Sequence, residues 1–549
     1  MKKQVCIVTY GVFGVPEDNA QGEYTSNLAI SLASSGYEVS ILLANGLSSE
    51  YRDKITTIKA FCAGKNIKLF FLMQVNEDYF SYALKTDNLI NSYQVYEWFK
   101  KHEQFDIVFF ADNAGVGFYS LLAKHQGLIF EKTKVFLKVF NTLRQRLFMN
   151  KINFDSIYYI TDDFIEKKTI ELCDVLLCSS KEIIDYIISM RWKIPEKVEI
   201  LRDITYKQNF DSANNVIYAH TIFSDNLVKI ETKIQDGAEV EVGKGLIKLI
   251  EDPPCIKDDY EGGQSFVPKV SVCLTHHERP HLLKYAIDSL RKQDYSNFEV
   301  ILVDDGSKDE ESNRYLNSLS DEFKQRGWKI IRQENLYLGA ARNRGAKESS
   351  GEYIMFLDDD DYLKPCAIST FIGAVICSCA DVLTCFNKIF DSESEPDKNN
   401  IRKISIFTGD IAAGIFNNSF GPSTGFFKKS LFLETGGFNE LKGVGYEDWE
   451  IYAKLSLRGY IIEVIPEILF YYRILERDKS SMTKSTDTFY NDQRISSVYV
   501  DGFDENMASA LMYLKNAKNI GYRLDYLNNY IILLKQALKE KYGIVITDL

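Results

Sequence analysis

The chain has 549 residues, a formal net charge of −12 and 45% hydrophobic residues. That apolar share belongs to a folded protein with a sizeable core, and the length suits several domains. The acidic balance excludes a general binder of nucleic acid or of an anionic membrane surface, while leaving room for a local basic pocket for phosphates. Ten cysteines include no Cys-x-x-Cys pair and lie mostly in apolar segments, so they read as buried thiols of a reducing compartment. No stretch approaches the ~18 consecutive apolar residues of a membrane span. A cytoplasmic protein is expected.

Taken in order, Val5 to Tyr10 is an apolar strand followed by Gly11, Gly14 and Gly22 and a helical pattern from Tyr24 to Ser34. Gly36 ends that helix before a second strand, Val39 to Leu43, giving a βαβ unit and hence a parallel sheet covered by helices. The alternation continues with strands at 105–110, 134–139 and 174–179 and a helix from Lys181. Residues 228–242 then alternate apolar and polar around Asp236-Gly237, a hairpin signal, and 251–263 reads as a linker. A new α/β domain starts near Pro268, with strands at 270–274, 298–303, 328–331 and 352–357 and helices at 282–290 and 339–347. Near the end, Tyr526, Tyr530, Leu533, Leu534, Ala537 and Leu538 recur at helical spacing, an amphipathic helix.

The sharpest feature is Phe356-Leu357-Asp358-Asp359-Asp360-Asp361, where an apolar strand ends in four acids. Carboxylates so crowded repel one another unless protonation, a basic partner or a metal offsets the charge. Hard divalent ions take oxygen ligands, and Mg²⁺ typically uses one or two carboxylates together with substrate phosphates. Asp358 and Asp360 would share one side if the strand geometry persisted. Asp304-Asp305-Gly306-Ser307 ends another strand about 50 residues earlier. Ligands of open α/β sheets bind beyond the carboxyl ends of the strands, so one crevice can hold both clusters.

The motifs Val303-Asp304-Asp305-Gly306-Ser307, Ala341-Arg342-Asn343-Arg344-Gly345, Phe356 to Asp361, Gly436-Gly437-Phe438 and Tyr446-Glu447-Asp448-Trp449 closely resemble glycosyltransferase family 2, an inverting GT-A family. The resemblance spans roughly 268–485. It implies a nucleotide-diphosphate sugar donor, most readily a UDP-sugar, a glycan or glycoconjugate acceptor, and Mn²⁺ or Mg²⁺. By resemblance Asp360 holds the metal with Asp358, which also lies near the ribose, and Asp361 supports them. Asp304 or Asp305 reads the base, and Thr275, Arg342 and Arg473 complete the donor site. Asp448 is the general base, Glu447 orients the acceptor, and Trp449, Gly436 and Gly437 line the acceptor side. His276 and His277 belong to a loop near the nucleotide rather than to a zinc site.

Residues 1–204 resemble the N-terminal half of a GT-B glycosyltransferase of the family 4 kind, on the Gly-rich loop, Leu28 to Val39, and Cys173 to Arg202. No second nucleotide-binding half follows, so this part is expected to bind the acceptor or dock a partner. The implied architecture is α/β throughout: a GT-B-like domain at 1–204, hairpin and linker at 205–266, a GT-A catalytic domain at 267–500, and C-terminal helices at 501–549. The rival expectation is a non-catalytic carbohydrate-binding or scaffold subunit. Apart from donor and acceptor, the expected partners are a second copy of the chain or another glycosyltransferase subunit.

Overall fold

The computed structural model describes residues 2–12, 20–44, 54–72, 79–81, 86–102, 105–112, 114–152, 157–200, 205–207, 218–220, 267–474 and 488–502. The hairpin expected at 228–242, the linker at 251–263 and the amphipathic helix near 526–538 lie outside these residues. An antiparallel ribbon instead pairs Thr205–Lys207 with Tyr218–His220.

The N-terminal half contains β1 (Gln4–Thr9), α1 (Ala20–Ser34), β2 (Glu38–Leu43), α2 (Ile55–Gly64), β3 (Ile67–Phe71), β4 (Phe80–Ser81), α3 (Asp87–Lys101), β5 (Ile107–Asp112), α4 (Phe118–His125), β6 (Lys134–Val139), α5 (Leu143–Met149), α6 (Ile157–Leu172), β7 (Val175–Cys178), α7 (Lys181–Ser189) and β8 (Lys197–Ile200). Seven strands form a parallel sheet in the order β3-β2-β1-β5-β6-β7-β8. Successive side chains of a strand face opposite ways. Val5 and Ile7 therefore pack beneath α1 and α2, while Cys6 and Val8 join the cluster under α3 and α4. Burial on both faces is why these strands are apolar runs rather than alternating ones.

The ribbon supplies β9 and β10. The C-terminal half adds β11 (Val270–His276), α8 (Pro280–Arg291), β12 (Phe298–Asp305), α9 (Glu310–Arg326), β13 (Lys329–Gln333), α10 (Leu338–Glu348), β14 (Tyr353–Asp358), β15 (Tyr362–Leu363), α11 (Ala367–Ser378), β16 (Val382–Phe390), β17 (Ile401–Ser405), α12 (Ile411–Gly414), β18 (Phe426–Lys428), α13 (Lys429–Glu434), α14 (Glu447–Leu457), β19 (Ile462–Arg473) and α15 (Thr488–Gly502). Its sheet runs β13-β12-β11-β14-β18-β16-β17-β4, with β19 beside β15 and β16. The register sets Thr275 opposite both Val303 and Asp358, and His276 opposite Asp304. The carboxyl ends of β11, β12 and β14 thus meet in one row.

The two halves share one core. β4 pairs in parallel with β17, and Phe386, Ile404, Ile406, Ala413, Val464 and Ile468 join the cluster of Leu89, Tyr93 and Tyr119. Polar contacts rim this junction. Tyr119 Oη donates to Phe407 O at 2.8 Å, Lys100 Nζ pairs with Glu467 at 2.7 Å, and Tyr96 Oη donates to the same carboxylate.

Candidate active site

Asp358 is the last residue of β14 and lies within reach of two donors. Arg342 Nη2 approaches its oxygens at 2.7 and 3.0 Å, and Thr275 Oγ1 donates to it at 3.0 Å. Arg342 is delivered by α10, whose Gly345 lies so close to β11 that an added Cβ would sit 2.9 Å from Cys273 Cβ. The guanidinium is 3% exposed, also donates to Ser423 Oγ at 3.1 Å, and stacks over Phe438. Asn343, its neighbour, clamps Phe438 by accepting from its N–H and donating to its carbonyl. The left-handed turn at Gly436 and Gly437 makes that approach possible, since a Cβ on Gly437 would strike the Asn343 side chain. Both glycines are accounted for by this turn.

The strand does not continue past Asp358. Asp361 N–H donates to Asp358 O at 3.1 Å, closing a turn, so the same-side argument for Asp358 and Asp360 does not apply. Each acid of the run instead has its own surroundings. Asp359, 1% exposed, accepts from His276 Nδ1 at 2.7 Å, from the His277 N–H at 3.3 Å and from Arg279. Arg279 then reaches Asp360 with Nη1 at 2.6 Å. Asp361 accepts from the Arg473 N–H at 3.1 Å. The Arg473 side chain donates from Nε to Asp360 O at 2.7 Å and from Nη1 to Ser394 O at 2.9 Å, and Nη2 is buried without a partner.

Charge balance in the cluster follows from these contacts. Burial works against ionisation of Asp359, but Arg279 and His276 outweigh it and hold the carboxyl below the usual range. Burial and the neighbouring acids push Asp360 up to about 6. Asp361 is pushed up as well, by burial and then by Asp360 and Asp358. The guanidiniums of Arg279, Arg342 and Arg473 therefore do not offset the whole run, and Asp360 and Asp361 hold their protons more tightly than free carboxyls do. Arg279 is the residue that sequence reasoning missed. Its signal was its place five residues past the end of an apolar strand, in the loop facing the acids.

Asp304 and Asp305 separate in role. Asp305 is consumed by the loop before α10: Oδ1 accepts from Gln333 Nε2 and the Leu336 N–H, and Oδ2 from the Tyr337 N–H, all at 2.8 to 2.9 Å. Tyr337 has φ +74°, a costly conformation for a bulky residue, and the Asp305 bond holds it there. Asp304 spends only Oδ1, on the Ser307 N–H at 3.1 Å. Gly306, at φ +76°, makes the turn between them, where a Cβ would lie 2.6 Å from Asn335 N.

Glu447 and Asp448 open α14, entered through another left-handed tyrosine, Tyr446 at φ +63°. Asp448 Oδ1 accepts from the Trp449 N–H at 2.7 Å, and Oδ2 is approached by Asn418 Nδ2 at 3.4 Å. Burial, then Glu447, pushes its carboxyl up to about 6, against the pull of Arg342. Arg342 feels Asp358, Glu447 and Asp448 together, and Tyr472 feels Asp361, Asp360, Asp358 and Asp448, so the two acidic groups lie within electrostatic reach of the same two side chains. Trp449 belongs to the hydrophobic core that includes Phe427 and Tyr452. It is 7% exposed and its indole N–H donates to Gly414 O at 2.7 Å, pinning α14 to α12.

Among the described residues no three His, Cys, Asp or Glu side chains converge as a metal cage. A divalent cation that takes most of its ligands from a bound diphosphate would offset the repulsion that holds protons on Asp360 and Asp361.

Residues 271–433 match the family model described as Glycosyl transferase family 2; Glu447 and Asp448 lie beyond that segment. Over 181 residues the chain is 33% identical to the GalNAc(5)-diNAcBac-PP-undecaprenol beta-1,3-glucosyltransferase of Campylobacter jejuni, covering 32% of this chain and 56% of the relative. Over 116 residues it is 32% identical to the glycosyltransferase GlyA of Streptococcus pneumoniae, covering 21% of this chain and 16% of the relative. The solved structure of S. aureus TarS 1-349 in complex with UDP-GlcNAc overlays with a TM-score of 0.35 at 19% identity, covering 44% of this chain and 70% of that one. The chain spans 61%, 16% and 56% of the lengths of the first curated relatives it matches. No helix among the described residues is long and apolar enough to cross a membrane. The stretch that carries Thr275, Arg342 and the acidic run is thus the part of this chain that matches glycosyltransferase family 2, residues 271–433.

Proposed function

We propose that the chain is an inverting glycosyltransferase that moves a sugar from a nucleoside-diphosphate donor, a UDP-sugar in the first instance, to a hydroxyl of a glycan or glycoconjugate. The observation that carries this reading is that Arg342, bonded to Asp358 at 2.7 Å, and Tyr472 each lie within electrostatic reach of both the acidic run and Asp448. Direct displacement at the anomeric carbon needs a base on the side opposite the departing diphosphate. Asp448 is suited to that task, because a carboxyl pushed up to about 6 is ionised at neutral pH yet basic enough to take a proton. Glu447, beside it at the same helix start, orients the acceptor.

On the donor side, Asp304 keeps an oxygen for the N–H of a base edge, whereas Asp305 is already committed to its own loop. Thr275 and Arg342 fix Asp358 at the ribose end. Asp360, whose ionisation the neighbouring acids oppose and a cation would favour, would hold Mn²⁺ or Mg²⁺, and Asp358 would assist. A divalent ion bound there supplies neutralisation of charge on the leaving diphosphate. Arg473, its Nη2 unspent beside Asp360 O, would add a donor on the same side. The N-terminal parallel sheet, with its strand order reversing about β1, supports the reading of a GT-B-like half that holds the acceptor. The Campylobacter relative is by name a glucosyltransferase, which supports a hexose as the transferred sugar.

The test is a panel of UDP-glucose, UDP-galactose, UDP-N-acetylglucosamine and GDP-mannose with Mn²⁺, reading nucleotide release, followed by calorimetry of UDP with and without Mn²⁺. Release from one donor, and UDP binding that Mn²⁺ strengthens in the native protein but not in Asp360→Asn, is expected. Nucleotide release from none of them, with UDP binding indifferent to Mn²⁺, would favour a non-catalytic binding subunit.

A further inference from the structure

Asp448 is held from a direction that the glycosyltransferase motifs do not include. The segment from Phe407 to Pro422 touches the N-terminal half at one end and the Asp448 carboxylate at the other. At the first end, Phe407 O accepts from Tyr119 Oη, Ala413 lies in the shared core, and α12 packs on α6. The middle is tied by its own bonds. Ser419 Oγ donates to Asp410 O at 2.6 Å, Thr408 and Gly409 N–H both donate to Ser419 O, and Asp410 caps α12 through the Ala412 N–H. At the second end, Thr384 Oγ1 donates to Phe420 O, Tyr452 Oη to Pro422 O, and Trp449 to Gly414 O.

Asn418 lies at that second end, and its amide orientation is fixed by the turn. Its Oδ1 accepts from the Phe420 and Gly421 N–H groups at 3.2 and 3.3 Å, so Nδ2 is turned the other way. Nδ2 donates to Gly421 O at 2.8 Å and faces Asp448 Oδ2 at 3.4 Å. With Oδ1 of Asp448 already taken by its own helix, Asn418 is the group that fixes the remaining oxygen. We propose that Asn418 is a positioning residue for Asp448, held in place by a strut that runs back to the N-terminal half. The proposal rests on the reading of Asp448 as the base. It gives the N-terminal half a second role, that of setting the angle at which the base meets the acceptor.

The informative variant is Asn418→Asp. It keeps an oxygen for the Phe420 and Gly421 N–H groups and loses the bond to Gly421 O whatever stands at 448, and it puts a carboxylate where a donor faced Asp448. The other groups bearing on Asp448 are Glu447 and Tyr446 beside it, Tyr452 on its helix, Arg342 on α10 and Tyr472 on β19, and none of them is altered. Thermal midpoints of the full chain are compared between pH 5 and pH 8, alone and in an Asp448→Asn background, without any ligand. Asn418→Asp is expected to lower the midpoint progressively as pH rises, by about 2 °C or more at pH 8, and this pH-dependent loss should vanish in the Asp448→Asn background. An equal loss in both backgrounds would overturn the contact.

Turnover is read with the sugar nucleotide that the panel shows to be cleaved fastest. Asn418→Asp should move the acid limb of kcat upward by about one pH unit, and Asn418→Ala should lower kcat about 10-fold with KM for the donor within about 2-fold. Unchanged kcat and pH profile in both variants would overturn the positioning role. If Asp448→Asn itself turns over normally, the base assignment fails instead, while the thermal comparison still decides whether the two residues touch.

Discussion

Replacing Asp448 with Asn should make the protein more stable and nearly inactive. The carboxyl moves from 3.8 to about 6 on folding, chiefly through burial and then through Glu447. The folded state thus binds this proton more tightly than the unfolded chain does. Stability falls as pH rises from the unfolded value to about 6, and above that the whole penalty is present. A shift of about two units corresponds to ~3 kcal/mol. Asp448 is only part-buried, and solvent screening reduces this to roughly 1–2 kcal/mol. Asn keeps an oxygen for the Trp449 N–H, bonded to Asp448 at 2.7 Å, gives up the long 3.4 Å contact with Asn418 at every pH, and carries no charge to desolvate. Asp448→Asn should therefore raise the thermal midpoint at pH 8 and change it little at pH 4. In the same variant, turnover of the donor chosen by the panel should fall ~10²- to 10⁴-fold, the usual share of a general base. Native turnover should decline below pH ~6 as the carboxyl takes up its proton. Thermal melts at the two pH values, together with initial rates, check all of this. A midpoint gain that is the same at pH 4 and pH 8, or activity that survives, would refute the reasoning.

Arg279→Ala should leave Asp359, 1% exposed, with His276 and one backbone N–H as its only partners. Removing one member of a buried pair costs about 3–5 kcal/mol, and urea melts of Arg279→Ala against the Arg279→Ala, Asp359→Asn double variant should show much of that loss restored. A single variant as stable as the native chain would mean that the pair carries no such weight. A fragment of residues 267–502 should fail to fold cooperatively, because it would bare Phe386, Ile404, Ile406, Val464 and Ile468, all buried against the N-terminal helices. Its soluble yield and dye binding test this, and a monomeric fragment with a sharp melt would count against the shared core.

The sequence marked the β/α alternation of both halves, because strands buried on two faces leave apolar runs that end abruptly in turn residues. Val5 to Tyr10, Lys134 to Val139 and Val270 onward are cases in which the expected and observed strands nearly coincide. It marked the acidic run and Asp304-Asp305 as strand-end clusters for the same reason. β16, β18 and β19 were not legible, since β18 and β19 pair with strands about 40 to 110 residues away and both β17 and β19 carry irregular register against β16. The same holds for β4, whose sheet partner, β17, comes from the other half of the chain.

By itself the sequence determined that four acids crowd the end of one strand and must be compensated by protonation, a basic partner or a metal. The tertiary structure decided how that charge is shared. Arg279 takes up Asp359 and reaches Asp360, Arg342 takes up Asp358, Asp360 and Asp361 are left holding their protons more tightly than free carboxyls do, and Asp305 is withdrawn to hold its own loop. The physical reason is that compensation depends on distance and burial rather than order. Arg279, Arg342 and Arg473 stand about 80, 16 and 113 residues from the acids they serve, and only the folded chain brings them within a hydrogen bond.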